Sequence, residues 1–422
     1  MDCEILTVGT ELVLGFTINT NAADMGRALA AAGLRVRHSA SVADEPALVK
    51  DAVRAALDRT GTVIISGGLG PTKDDLTRAA VAELFGTPLR RDDAIATRLR
   101  ELFRSRGVAN MPDSNLVQAD VPEGATVLEN SLGTAPGLWV EADGRLAVLL
   151  PGVPKEMRAL LEREVLPRLV ERAETGAPGH RGTVTRSRTL RTTGIGESAL
   201  ADKLGDFQKL LGQQVTLAFL PSVAGTDLRL TVWNAPEADA DAALSLAADA
   251  LRPKLGDRFY GQDGDDLAAI VLRQLEAAGV KLAVAESCTG GLLGARLTAI
   301  PGSSRAFVGG VVAYADDVKL QMLGVSADDL VGQGAVSETV ARQMAAGVAR
   351  ALDTGAAIAI TGVAGPDGGT AEKPVGTVWI AVKFRETERA FSHSFVGDRE
   401  DVRARAAQWA LDYLRRTMAT AS

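Results

Sequence analysis

Val63-Ile64-Ile65-Ser66-Gly67-Gly68-Leu69-Gly70-Pro71-Thr72-Lys73-Asp74-Asp75 is the stretch on which the reading of the fold turns. The apolar, β-branched start predicts a buried strand, the glycines a loop, and a helix is expected to begin near Asp74-Asp75. Glycines after a strand let backbone N–H groups approach an anion closely, and the following helix directs its positive end at the same place. Gly67, Gly68 and Gly70 would therefore cradle a phosphate, with Lys73 adding a cationic contact. Asp74 and Asp75 offer oxygen ligands to a hard divalent ion. An N-cap explains one aspartate; it explains neither the lysine nor the glycines.

The same rhythm continues on both sides. Ile5-Leu6-Thr7-Val8 ends at Gly9 and leads to a helix capped near Asn19 or Asn21 and stopped at Gly33. Gly137–Val140 and Leu146–Leu150 flank Asp143-Gly144, a two-residue hairpin signal. Strands alternating with amphipathic stretches predict a parallel α/β sheet with right-handed crossovers. In such a sheet the residues just past strand C-termini converge on one crevice. That rule draws in Glu11, Asp44 and Glu156. Asp44-Glu45-Pro46 reads equally well as a helix start, and Glu156 falls in a first helical turn, where the macrodipole favours a carboxylate anyway.

A length of 422 residues corresponds to roughly three domains. Linker-like chemistry over Glu174–Gly182 and a second boundary near Gly256–Gly264 divide the chain into 1–172, 180–256 and 264–422. The middle part reads as a small α+β module: strand Thr183–Leu190, a helix from Glu197, strands Val215–Phe219 and Leu228–Trp233, and an Ala-rich helix to Leu251. Its Arg181, Arg186, Arg188 and Arg191 form a basic stripe, read as a solvated strand face. From Asp265 the α/β rhythm resumes, with a helix to Ala278 and a strand Leu282–Ala285. A helix follows Gly290-Gly291, then strands Phe307–Tyr314, Ala356–Ile360, Val375–Val382 and Ala390–Val396, and a terminal helix Arg399–Arg415.

Composition narrows the chemistry. Three His and two Cys in the whole chain leave no room for a His/Cys zinc site or a disulfide framework. His38, His180 and His393 lie far apart, so acids, bases and ligands must be mainly carboxylates, hydroxyls and amines. The net charge of −7 argues against duplex DNA as the main partner. No apolar run approaches the roughly 18 residues of a membrane span. Met1-Asp2-Cys3-Glu4-Ile5-Leu6 has no signal-peptide character, so the expectation is a soluble, cytoplasmic protein.

A second constellation, Ala285-Glu286-Ser287-Cys288-Thr289-Gly290-Gly291, also follows a strand and opens a helix. Such a corner presents a nucleophile beside backbone N–H groups. Cys288 is a candidate, but a lone Cys among Ala and Gly is more often a small buried hydrophobe, so Ser287 is preferred. Lysine can serve as its base where burial or a neighbouring cation lowers its pKa. Tyr314-Ala315-Asp316-Asp317-Val318-Lys319 supplies a strand-end Tyr and, one turn on, a Lys that taken alone reads as a surface residue. His393, between Ser392 and Ser394 on a strand, reads as structural. Thr361–Gly369 is a long Gly-rich loop after a strand, suited to wrapping a phosphate or carboxamide.

Taken together, these motifs resemble the competence/damage-inducible protein A (CinA) family over essentially the whole chain. The amino-terminal part is similar through Gly9-Thr10-Glu11-Leu12, Asn19-Thr20-Asn21-Ala22, the Gly67–Asp75 loop, Gly133-Thr134-Ala135-Pro136-Gly137 and Leu150–Met157. The middle is similar through Thr193-Gly194-Ile195-Gly196-Glu197-Ser198. The carboxy-terminal part is similar through Ala285–Gly291, Pro301–Ser304, Tyr314 with Lys319, Gly334–Ser337, Thr361–Gly369, Pro374-Val375-Gly376 and Gly397-Asp398-Arg399. The resemblance implies a molybdopterin-binding-type α/β domain, a small KH-like module and a carboxy-terminal α/β amidase domain. It implies a nicotinamide-nucleotide amidase, converting nicotinamide mononucleotide to nicotinic acid mononucleotide and ammonia without a cofactor. In the amino-terminal domain it implies a metal-dependent ADP-ribose pyrophosphatase giving AMP and ribose 5-phosphate. Catalysis would fall to Ser287, Lys319 and Tyr314, with Thr289, Gly290 and Gly291 at the oxyanion and Arg399, Gly362 or Gly365 at the phosphate. A divalent metal would be held by Asp74, Asp75 and Glu156, with Glu11 nearby. The resemblance also implies a homo-oligomer, a dimer. The competing reading is a regulatory protein whose amino-terminal crevice binds a molybdopterin-like or nucleotide ligand without turning it over.

Overall fold

The computed structural model describes all residues except Lys73, Ala109, 177–182 and Ser422. The expected phosphate contact of Lys73, the expected linker at 177–182 with its His180, and Arg181 of the basic stripe lie outside the described residues. The chain forms two compact units, Met1–Arg186 with Val232–Ala242, and Ser187–Thr231 with Ala243–Ser422.

The first unit is built on strands β1 (Asp2–Val8), β2 (Arg35–Val42), β3 (Thr62–Ser66), β4 (Leu89–Arg91), β5 (Asp120–Pro122), β6 (Thr126–Leu128), β7 (Gly137–Ala142) and β8 (Arg145–Leu150). Six of them form one sheet in the order β2-β1-β3-β8-β7-β6, while β4 and β5 pair apart. The expected parallel sheet is therefore mixed: β2, β1, β3 and β8 run parallel, and β7 and β6 are added antiparallel. The Asp143-Gly144 turn causes this, because both residues take positive φ and reverse the chain directly. Alternate side chains of β1 serve opposite faces. Leu6 and Val8 pack toward Val49 and Val53 of helix Pro46–Thr60, while Cys3 and Ile5 pack toward Met25 and Leu29 of helix Thr20–Ala31. That second helix starts at Asn19, whose side chain accepts from the Ala22 N–H.

A four-stranded sheet, order β10-β11-β9-β12, follows from β9 (Thr183–Thr192), β10 (Val215–Pro221), β11 (Thr226–Pro236) and β12 (Phe259–Gln262). β12 lies inside the stretch read as a boundary. Gly256 and Asp263 turn with positive φ at either end, and the Phe259–Gln262 run between them pairs antiparallel with β9. The basic stripe is not free in solvent. Arg188 donates to Ser245 Oγ at 3.0 Å, Arg191 pairs with Asp227 at 2.9 Å, and Arg186 reaches the Ala31 carbonyl and Glu237.

The carboxy-terminal sheet contains β13 (Leu282–Glu286), β14 (Phe307–Val312), β15 (Ala356–Gly362), β16 (Thr377–Phe384) and β17 (Thr387–Ser394), in the order β14-β13-β15-β16-β17. β14, β13 and β15 are parallel and the last two antiparallel. Side-chain size separates its faces. Leu282, Val284, Ile358 and Ile360 meet helices Leu267–Ala277, Leu292–Thr298 and Arg399–Ala421. Ala283, Ala285, Ala357 and Ala359 admit helix Glu338–Ala351 closely on the other side, through Val340, Met344 and Val348. Helices on both faces of an order that reverses at β13 create a switch point between β13 and β15. Among the described residues no helix is long and apolar enough to cross a membrane.

Candidate active site

The loops that leave β13 and β15 flank the carboxy-terminal switch point. The Ser287 N–H donates to the Ile360 carbonyl at 2.9 Å and the Ala313 N–H to the Glu286 carbonyl at 2.7 Å. Ser287, Ala313-Tyr314 and Thr361-Gly362 are thereby drawn to one sheet edge. Ser287 is buried there, on a corner that turns through positive φ at Gly290 and Gly291.

Glu286 sets the shape of that corner. Its side chain is 1% exposed. One oxygen accepts from the Gly291 and Leu293 N–H groups at 3.1 and 3.0 Å, the other from Gly294 at 2.8 Å. A carboxylate here satisfies orphan donors at the start of helix Leu292–Thr298 and faces the positive end of its dipole. The consequence corrects the sequence reading of the oxyanion site. Gly291 N–H is committed to Glu286, and Gly290 N–H to the Ser287 carbonyl at 3.0 Å. The Thr289 hydroxyl is different: it is fully buried and has no hydrogen-bond partner.

Lys319 is not the surface lysine its local sequence suggests. It is 1% exposed, and its Nζ donates to the Tyr314 carbonyl at 3.3 Å and to Asp316 at 3.1 Å. Tyr314 meets Lys319 through its backbone. Its phenol, on a side chain that is largely exposed, accepts from Arg399 Nη2 at 3.0 Å. Arg399 also donates to the Gly365 carbonyl at 2.6 Å. A cavity of about 680 Å³ opens beside it, lined by Ala364, Pro366, Val375, Gly397, Arg399 and Arg403 among others. The structure thus joins Tyr314, Arg399 and the Gly362–Gly369 loop, with Ser287 on the neighbouring strand end rather than on the cavity wall. Gly362 leaves no space for a side chain, because a β-carbon there would overlap the Thr377 carbonyl and Val378.

Two residues escaped the sequence reading. Glu286 had a signal, a carboxylate ending the otherwise apolar strand Leu282–Ala285. Arg403 had none; its guanidinium donates to the Thr289 carbonyl at 2.9 and 3.3 Å and ties the corner to the terminal helix. Cys288 behaves as a buried hydrophobe, its thiol pushed up to about 12 by burial. His393 is structural: it hydrogen-bonds Tyr413 and stacks on Phe395.

The amino-terminal crevice is assembled by the same topology. Gly9 N–H donates to the Val42 carbonyl and Gly67 N–H to the Leu150 carbonyl, each at 3.0 Å. Gly67 has a φ of 107°, and a methyl group there would overlap the Val8 carbonyl. Asn21 bridges Ser66 Oγ at 2.9 Å and the Gly152 carbonyl at 2.7 Å, and Ser66 reaches the Pro151 carbonyl. Buried Arg78 donates to the Leu69 and Gly70 carbonyls at 2.6 and 3.0 Å. Thr77 Oγ1 holds the Gly67 carbonyl at 2.9 Å, and a side chain at Gly68 would strike Thr77.

The helix after this loop is Thr77–Leu84, and neither Asp74 nor Asp75 caps it. Asp75 instead closes the loop, accepting from Thr72 N and Oγ1 at 2.8 and 2.7 Å. Asp44 accepts from Thr10 N and Oγ1 at 2.7 and 3.0 Å. Glu156 accepts from Asn130 Nδ2 at 2.7 Å. Asp74 and Glu11 are exposed. Among the described residues no three His, Cys, Asp or Glu side chains converge as metal binding requires. The expected ligand set of Asp74, Asp75, Glu156 and Glu11 is not brought together, because Asp75 and Glu156 are engaged in shaping their own loops.

Family models match in three stretches. Residues 4–171 match the probable molybdopterin binding domain, 187–261 the damage-inducible protein CinA KH domain, and 264–418 the CinA C-terminal domain. The chain is 52% identical over 420 residues to a CinA-like protein of Gemmatimonas aurantiaca, covering 99% of this chain and 97% of that one. It is 44% identical over 431 residues to a putative competence-damage inducible protein of Symbiobacterium thermophilum, covering 99% and 98%. Among solved structures, CinA from Thermoplasma acidophilum is 37% identical, with a TM-score of 0.37 and coverage of 40% of this chain and 97% of that one.

Proposed function

Given that the chain belongs to the CinA family, we propose that its carboxy-terminal part is an amidase that hydrolyses nicotinamide mononucleotide to nicotinic acid mononucleotide and ammonia. The observation that supports this reading is that the parallel neighbours β13 and β14 lead respectively into the buried Ser287 corner and the helix Asp316–Leu323 that carries the buried Lys319. A nucleotide amide needs a hydroxyl nucleophile, a base and an anion-binding group, roles for which Ser287, Lys319 and Arg399 are the candidates.

In this reading Ser287 Oγ attacks the carboxamide carbon while Lys319 Nζ takes the hydroxyl proton. The Thr289 hydroxyl, with no protein partner, donates to the developing oxyanion. Collapse of the tetrahedral intermediate breaks the C–N bond, and the proton on Lys319 passes to the departing ammonia. Water then cleaves the nicotinoyl ester, returning a proton to Ser287. Arg399 is the phosphate ligand, and Tyr314 acts with it, since its phenol is bonded to Arg399. Incubating the full chain with nicotinamide mononucleotide tests the proposal. Stoichiometric ammonia and nicotinic acid mononucleotide are expected; unchanged substrate at high enzyme concentration would refute it.

For the amino-terminal crevice we propose binding of a phosphate-bearing ligand, ADP-ribose in the first instance, against the Gly67–Gly70 backbone. The support is the glycine geometry and the Arg78 and Thr77 bonds that fix it. Assaying ADP-ribose with divalent metal for AMP and ribose 5-phosphate distinguishes turnover from binding alone.

A further inference from the structure

A cavity of about 330 Å³ in the second unit lies apart from the Ser287 corner. Its walls include the Gly194–Glu197 segment, the Pro221–Thr226 turn, and His393, Phe395, Arg405 and Trp409. That volume is at the lower end of small-molecule sites, roughly 300–1,000 Å³.

Three observations give the cavity a chemistry. The first is Arg405. Its Nε is buried without a hydrogen-bond partner, and no ion pair neutralises its guanidinium among the described residues. A buried donor left unmatched costs free energy that an acceptor on a ligand would restore, most effectively an anionic one. The second is the aromatic wall. His393 stacks on Phe395 and meets Trp409 at a tilt of 45°, with ring centroids 4.3 Å apart for His393 and Trp409. Burial and the nearby Arg258 charge hold His393 below its ordinary pKa, which favours the uncharged imidazole in this wall. The third is the opening of helix Glu197–Leu204 at the cavity, with Gly196 as its N-cap and no side-chain cap bond.

The walls are pre-formed. Gly194 N–H donates to the Ala224 carbonyl at 3.2 Å, which links the two loops. Gln408 Nε2 donates to Thr193 Oγ1 at 3.1 Å, which links them to the terminal helix. Gly194 has a positive φ, and any side chain there would strike Trp409 and Arg258. An aromatic face, an unpaired guanidinium and an uncapped helix start, all within one mononucleotide-sized space, select a planar base joined to a phosphate. We infer that this cavity is a third ligand site, one for a mononucleotide, with the phosphate on Arg405 and the Gly196 helix start and the base against Trp409. Glu197, on the rim, accepts from a ribose hydroxyl. The inference rests on none of the chemistry proposed for Ser287.

AMP is the probe, and Trp409 emission the local readout. Titrating AMP into the full chain should change tryptophan fluorescence saturably, and Trp409→Phe should abolish that change. Arg405→Gln should raise the midpoint about ten- to hundredfold, the range of a lost charge-assisted hydrogen bond. Arg405→Lys, which keeps the charge but not the Nε donor, should fall between the two and guards against a folding defect in the Gln variant. Adenosine, lacking the phosphate, should bind at least tenfold more weakly than AMP. No change in Trp409 emission at millimolar AMP, or equal midpoints for wild type and both Arg405 variants, would overturn the site. Equal binding of adenosine would overturn its anion half.

Discussion

Replacing Glu286 tests how the Ser287 corner is held. Its carboxylate accepts three backbone N–H groups while almost wholly buried. Glu286→Gln is nearly isosteric, and its single amide oxygen can keep the Gly291 and Leu293 bonds. The other position becomes an NH2 group facing the Gly294 N–H, donor against donor. Losing one bond to a charged acceptor and orphaning its partner costs about 1.5–3 kcal/mol. Glu286→Ala orphans all three donors and should cost about 3–5 kcal/mol. Because the chain has two units, a single global unfolding midpoint would blur the effect. Hydrogen–deuterium exchange over residues 286–298 reads it locally. A loss of about 2 kcal/mol accelerates exchange roughly thirtyfold at about 1.4 kcal/mol per decade. Exchange should accelerate for Gly291, Leu293 and Gly294, more in the Ala variant than in the Gln variant, with amidase turnover falling in the same order. Unaltered exchange in Glu286→Ala would refute the argument that these three bonds hold the corner.

Other expectations follow from individual contacts. Cys288→Ala should retain most amidase turnover, and the native thiol, pushed up to about 12, should resist iodoacetamide at pH 8 until the protein unfolds; rapid alkylation would contradict its burial. Gly67→Ala should destabilise the first unit by about 2–4 kcal/mol, since positive φ and overlap with the Val8 carbonyl act together. Hydrogen–deuterium exchange over residues 62–70 unchanged from wild type would count against that geometry. His393 is held below its ordinary pKa of 6.5, chiefly by burial. Folding therefore gains stability from it above pH 6.5, and the gain is lost as pH falls through the folded pKa. Urea unfolding between pH 7 and 5 should show a shallower acid decline in His393→Gln than in wild type.

Where periodicity and turn chemistry were strong, the fold was legible. The Ile5–Val8 and Val63–Ile65 runs, Asn19 as a cap and the Asp143-Gly144 turn are local signals with local outcomes. Phe259–Gln262 reads as part of a boundary because its flanking turns at Gly256 and Asp263 resemble a linker, while the partner strand that makes it β-structure lies some seventy residues earlier. The Asp74-Asp75 pair misled for a related reason. An aspartate before a helix is a good cap, but Asp75 finds its donors on Thr72, three residues back. Lys319 reads as exposed in a segment rich in aspartate, and only the packing of helix Asp316–Leu323 buries it. The Ser287 corner was visible as a motif; what fixes it was not. Arg403 reaches Thr289 from more than a hundred residues away, and no local pattern encodes such a contact.

Ammonia release from nicotinamide mononucleotide by wild type, Ser287→Ala and Cys288→Ala, compared as full chains with matched circular dichroism, tests the central proposal most directly. The account predicts turnover in wild type and Cys288→Ala and a loss of at least about a thousandfold in Ser287→Ala, in line with removal of a catalytic nucleophile. Undiminished ammonia release by a well-folded Ser287→Ala would contradict it.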